Sequence, residues 1–418
     1  MEESTGESSY SLAGIDVHKK MLAVVIAEVA GAGEYRFERR KFGAAPSELR
    51  SLAEWLVEHR VQEAVMESTA QYWKPVWQAL EGRLRLCLAQ AWSNRAPRGR
   101  KRDFADAERL VKRHVAGELV LSFVPDPEQR LWRTMTRTKH QLTRDRVRLH
   151  SQLEAFLEDV RIKLSSCLSD LLGMSGRDML EALAEGKKDG AAIAALAQPE
   201  VRATREELQD ALSAAPLNDL QRQMLRLFLE RLKLIESQME QLDRAIGGAL
   251  REHGDAVRRL AEVPGFGADS AQQVIAEVGP KAAAFPSPQQ LSSWVGTCPG
   301  REESAEVSKS NRSPKGNRQM RHVLNQTAHA PVRAKGSVFE TLYRRLAPRL
   351  GHCKAIWAIA NRLCRLVWKI LHQGATYEER GAHPNPKAIQ QRAKRLLRGL
   401  RDLGYQVQAT PPQAEVAS

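Results

Sequence analysis

LAGIDVHKKMLAVVI, residues 12–26, is the stretch on which the fold turns. Two short apolar runs flank a polar HKK, the pattern of a strand, a tight turn and a second strand. A sheet therefore opens the fold. Working outward, SELRSLAEWLVEHR (47–60) has helical spacing, EAVMES (63–68) reads as another short buried strand, and RLRLCLAQ (83–90) as a further one. Strands alternating with helices predict an α/β domain through about residue 120.

Beyond VPDPEQ (124–129) the composition shifts to long helices rich in Arg, Leu, Gln and Glu. Leu225, Phe228, Leu232, Ile235, Met239, Leu242 and Ile246 are spaced alternately three and four apart, a heptad seam that predicts a coiled coil or a helix in an ordinary bundle. The Gly-, Ala- and Pro-containing segment 173–216 reads as an irregular helical insert. KAIWAIANRLCRLVWKIL (354–371) is amphipathic, with Arg362, Arg365 and Lys369 on one face, suited either to phosphates or to solvent. The tail after about residue 375 is basic and then loses pattern, and no fold is assigned to it.

The 418 residues carry 64 Lys and Arg against 50 Asp and Glu, a formal charge of +14, which points to a polyanionic partner, nucleic acid foremost. No apolar run approaches the roughly 20 residues that span a bilayer. MEESTGESSY at the start is acidic and polar, unlike a secretory signal, and reads as a disordered leader. The five cysteines are scattered, never as CxxC, and fit reduced thiols in a cytoplasm.

Four carboxylates stand out. Asp16 lies within the first strand and Glu67 ends the third; Asp103 and Asp106, three apart at a helix start, share a face. Oxygen ligands of this kind hold paired Mg²⁺ ions in phosphodiester chemistry, although acids at a helix start also serve as simple dipole partners. RAPRGRKR (95–102) precedes them with Arg95, Arg98, Arg100, Lys101 and Arg102, a candidate phosphate contact. VPGFGADSAQQVIAEVG places Gly265 and Gly267 in a turn that resembles a helix-hairpin-helix phosphate cradle or, equally, a packing turn. REESAEVSKSNRSPKGNRQMR (301–321) is a serine-rich basic loop whose cations include Lys309 and Arg312. A serine among cations can attack phosphate. Composition does not choose among Ser304, Ser308, Ser310 and Ser313.

The ordered set GIDVHKK, MESTAQYWKPV, RKRDFADAERL, SFVPDPEQRLWR, LAEVPGFG and WVGTCPGREESAEVSKSNRSPKGNRQMR resembles the insertion-sequence-110 family of transposases, relatives of the pilin-gene DNA invertases, over residues 12 to 377. The resemblance implies α/β plus all-α architecture: a RuvC-like RNase H fold DEDD domain (12–124) after the leader (1–11), a helical coiled-coil region with insert (125–257), a mostly helical serine transposase domain (258–377) and a basic, then disordered tail (378–418). It places the DEDD carboxylates on Asp16, Glu67, Asp103 and Asp106 with Mg²⁺, and the nucleophile on Ser304, bringing it with its cationic neighbours Lys315 and Arg321 to DNA at the metal site. It further implies an element-encoded guide RNA, DNA partners at element ends and target, a dimer or tetramer, no membrane, and a prokaryotic, nucleoid-associated cytoplasmic location. Where the family pattern reads ESAGK, this chain has Glu303-Ser304-Ala305-Glu306-Val307. A metal-dependent nuclease without serine chemistry, and an inactive nucleic-acid-binding remnant, are the alternative expectations.

Overall fold

The computed structural model describes residues 10–30, 34–68, 70–94, 103–187, 189–213, 216–299, 302–304, 307–310, 313–379, 381 and 386–407. The chain divides into two compact units, Met1–Pro125 and Asp126–Ser418.

In the first unit, β1 (Tyr10–Val17), β2 (Met21–Ala30), β3 (Glu34–Gly43), α1 (Pro46–Glu58), β4 (Glu63–Glu67), α2 (Trp73–Leu80), β5 (Arg85–Ala89) and α3 (Asp103–Val115) follow one another. The sheet order is β3-β2-β1-β4-β5; β2 pairs antiparallel with β1 and β3, whereas β4 pairs parallel with β1 and β5. That order and sense define an RNase H-like sheet. Strand side chains alternate between faces. Ala13, Ile15 and Met66 bury against Leu52, Trp55 and Trp77 of α1 and α2, while Leu12, Val25 and Val65 bury against Ala107, Leu110 and Val111 of α3. Gly14 sits on the α3 side: a Cβ there would lie 2.3 Å from the Ala107 carbonyl oxygen. Its bare backbone lets α3 rest directly on β1. The third strand, β3, was not among the strands expected from sequence; its charged, alternating EYRFERRKFG forms the sheet edge, where charge blunts edge-to-edge pairing.

Among the described residues, the second unit is helical apart from one hairpin. Its first part runs α4 (Pro127–Asp159), α5 (Leu164–Cys167), α6 (Met174–Glu185), α7 (Gly190–Ala194), α8 (Arg205–Ala211) and α9 (Asp219–Ala249). Asp126 caps α4 by accepting from Gln129 N, and an Asn218/Gln221 capping box starts α9. The two long helices run antiparallel, with Phe156 against Phe228 (5.6 Å between rings) and Arg146 paired to Glu236 (3.1 Å). Of the heptad set, Leu225, Leu232 and Ile246 are buried; Leu225 and Leu232 share a core with Leu149, Leu153, Met179 and Leu208. Opposite them, Leu220, Met224, Leu227 and Leu234 stay exposed.

The second part comprises α10 (Gly254–Ala261), α11 (Ala268–Val278), α12 (Pro288–Val295), β6 (Glu302–Ser304), β7 (Val307–Ser310), α13 (Arg318–Thr327), α14 (Val338–Leu350), α15 (His352–Gln373) and α16 (Pro386–Asp402). Fully buried Glu277 of α11 accepts from Arg137 of α4 (2.8 and 2.9 Å) and from Asn317 Nδ2 (2.8 Å), the residue that caps α13. Burial pulls Arg133, 3.4 Å from the same carboxylate, down to about 10. α16 occupies the basic stretch to which the sequence assigned no fold. Among the described residues, no helix is long and apolar enough to cross a membrane.

Candidate carboxylate site and serine hairpin

Asp16 and Glu67 lie on the same face of the sheet as Gly14 and Val65, at the ends of two adjacent parallel strands whose register pairs Ile15 with Met66. That is the face α3 covers. Since Ala107 rests on Gly14, the first turn of α3, with Asp103 and Asp106, comes to the end of β1 where Asp16 stands. Carboxylates in a first helical turn also gain from the positive end of the helix dipole.

The side chains form two linked sets. His18 Nε2 lies 3.1 Å from Asp16 Oδ2 and 3.6 Å from Asp103 Oδ1, and the Lys41 ammonium of β3 lies 3.8 Å from Asp103 Oδ2. Glu67 Oε2 accepts from Asn94 Nδ2 (2.8 Å), whose Oδ1 accepts from Arg109 Nε (3.3 Å); Arg109 also pairs with Asp106 at 2.7 Å. Burial raises the Asp16 carboxyl above its ordinary range; His18 opposes the shift, and the charges of Asp106 and Glu67 add to it. Asp16 thus feels two of the other three acids, and shares a histidine with the third. A donor set of carboxylate oxygens plus one imidazole, crowded with like charge, fits a divalent cation; ligand atoms of Asp16, His18 and Asp103 lie within 4.8 Å of one another.

His18, Asn94 and Arg109 were not among the residues expected to act. His18 stood in the HKK turn, two residues after Asp16. That proximity was its only signal. Asn94 and Arg109 are unremarkable in sequence and matter through where they lie in space.

Arg95, Arg98, Arg100, Lys101 and Arg102 fall outside the described residues, as do Arg312 and Glu306. Ser304 ends β6, its backbone opposite Val307 of β7, and Lys309 lies in β7. Lys315 is exposed. Arg321 is committed within the fold: it donates to the carbonyls of Gly296 (2.5 Å) and Pro314 (3.2 Å) and lies 4.4 Å over Trp357. Gly265 adopts φ +91°, and a Cβ there would lie 2.2 Å from Thr327 O of α13, so the glycine turn is a packing turn at this position. The Gly267 N–H donates to Ser270 Oγ.

A second cluster sits at the other end of the same sheet face. Glu63, 2% exposed, accepts from Tyr10, Arg85 (2.6 Å) and Cys87 (2.9 Å), with His114 3.2 Å away. Burial alone would raise this carboxyl, but the surrounding donors, Arg85 foremost, pull it down to about 2.

Comparison with known proteins finds two family models. One, described as Transposase IS116/IS110/IS902 family, matches residues 257–344; the other, the DEDD transposase model of IS110, described as Transposase, matches residues 13–162. No curated protein shows a significant match. Among solved structures, Thermus thermophilus RuvC is similar to 27% of this chain over 99% of its own length, at 14% identity and a TM-score of 0.23. T. thermophilus RuvC in complex with Holliday junction substrate covers the same shares at 15% identity and a TM-score of 0.21. The fold assignment rests on the strand order described above.

Proposed function

The chain belongs to the IS110 family of transposases, and from that premise we propose that it excises and inserts a mobile DNA element by RNA-guided strand exchange through a phosphoserine intermediate. The observation that supports the metal site in this reading is the crowding of Asp16 by Glu67 and Asp106 beside Asp103; the serine step and the guide RNA rest on the family. Asp16, Glu67, Asp103 and Asp106 would hold Mg²⁺, with His18 at its margin; the ion supplies Lewis-acid stabilisation to phosphate oxygens. Lys41 and Arg109 neutralise part of the remaining charge and orient Asp103 and Asp106. Ser304 Oγ would form a bond to phosphorus as a deoxyribose oxygen departs; the serine proton leaves and the departing oxygen takes one up. The phosphodiester energy is thereby conserved for rejoining. Guide RNA, DNA at element ends and target, and a dimer or tetramer complete the reading.

Two assays test it. Parent protein incubated with element-end DNA is expected to yield a covalent protein–DNA adduct and exchanged strands, both absent from Ser304→Ala. Sequencing the RNA that copurifies is expected to return one element-encoded species; a random background overturns guidance. A second reading, cleavage by the carboxylates with water as nucleophile, is favoured by Glu306 and Val307 in place of the glycine and lysine of the family pattern. Cleavage that survives Ser304→Ala would select it.

A further inference from the structure

Between α14 and α15 runs an open groove of about 1100 Å³. Its floor is apolar: Leu342 and Leu346, one turn apart on α14, face Trp357 of α15. Its rim is cationic. Arg345, Lys354, Arg362 and Arg365 line it and all four are exposed; among the described residues, no acidic side chain joins them and none of the four is in an ion pair. On α15 the positions 354, 358, 361, 362 and 365 form one helical stripe, so the lining is a continuous face. The wall also includes Pro299 and Ser313, the residues on either side of the stretch that carries Ser304. Trp357 donates from its indole nitrogen to Ser313 Oγ (3.1 Å).

We propose that this groove binds a single-stranded segment of DNA beside the serine hairpin. This rests on the transposase reading for the identity of the polymer. Unpaired bases expose flat apolar faces that match the leucine and tryptophan floor, while their phosphates match the four exposed cations. A duplex hides its base faces and would leave that floor without a partner. Strand exchange requires strands to separate near the reacting phosphate, and the groove lies where the nucleophile's hairpin leaves the helical body and returns to it.

The test uses the full chain, fluorescent oligothymidylate and a hairpin duplex of matched length. Arg362→Ala with Arg365→Ala is expected to weaken single-strand binding roughly tenfold and duplex binding less than about twofold. Leu346→Ser should do the same without altering charge. Cys353, exposed in the groove, supplies a footprint: oligothymidylate is expected to shield it from N-ethylmaleimide and to leave Cys167 reactive. Equal losses for single strand and duplex, or an unshielded Cys353, overturn the proposal. So does stronger shielding by oligouridylate or by an acidic peptide, which would assign the groove to RNA or to a protein. A chain that exchanges strands but shows no shielding refutes the groove alone; one that shields Cys353 but never exchanges strands refutes the transposition reading and keeps the groove.

Discussion

At Asp16 the fold holds a carboxylate where burial and two like charges disfavour ionisation. A folded-state pKa above the unfolded one means that ionisation destabilises the fold as pH rises through that interval. Asp16→Asn is therefore expected to raise the melting temperature at neutral pH, to change it little in acid, and to abolish cleavage. Calorimetry with and without Mg²⁺ checks the cause, because the ion should stabilise the parent and not the variant. At the hairpin, Glu306 sets a negative charge two residues from Ser304. A misplaced unit charge a few ångströms from a reacting phosphate costs roughly 1 to 4 kcal/mol, so Glu306→Gly with Val307→Lys is expected to speed strand exchange about tenfold or more. Rates on element-end DNA decide this; no gain would show that the motif works as it stands. As candidates, Asp16, Glu67, Asp103 and Asp106 were legible from their places in predicted strands and on one face of a predicted helix start. Asn94 and Arg109 were not, since their roles arise only when the segments around 94 and 109 meet.

Helix α3 owes its position to Gly14, so this contact carries the site at the level of elements. Gly14→Ala puts a methyl 2.3 Å from Ala107 O; overpacking of this kind costs about 1–3 kcal/mol. It is expected to shift α3, and Asp103 and Asp106 with it, to lower the melting temperature and to reduce cleavage although no carboxylate has been substituted. At the far end of the same helix, Glu63 ties Tyr10 of β1, Arg85 and Cys87 of β5, and His114 of α3 together. Its pKa falls from 4.5 to about 2 on folding, so its contribution, on the order of 3 kcal/mol, is complete above 4.5 and is lost as pH falls toward 2. Glu63→Gln should lower stability at neutral pH and flatten the acid limb of a denaturation profile. β1, β2, β4 and β5 were legible as apolar runs. β3 escaped because an edge strand with one solvated side keeps its charges, and hydropathy alone does not separate it from a loop. The heptad spacing was legible too, but not its use: Leu229, outside the expected seam, is buried while Met239 and Leu242 are only half covered.

Across the whole molecule, charge governs encounter. With a formal charge of +14, binding to nucleic acid should release many counterions, and log affinity is expected to fall steeply and linearly with log salt. Filter binding across a salt series checks this, and a flat line contradicts it. Net charge was open to inspection from composition. The concentration of four exposed cations over an apolar floor was not, because α14 and α15 bring it together only when packed. The seating of α3 on bare backbone at Gly14 has a genetic counterpart. Lesions that silence this element need not fall on any acidic residue: changes at Gly14, Ala107 or Val111 would leave the chemistry intact yet loosen its support. Such alleles should be heat-sensitive, permitting movement of the element in the cold and arresting it at higher growth temperatures.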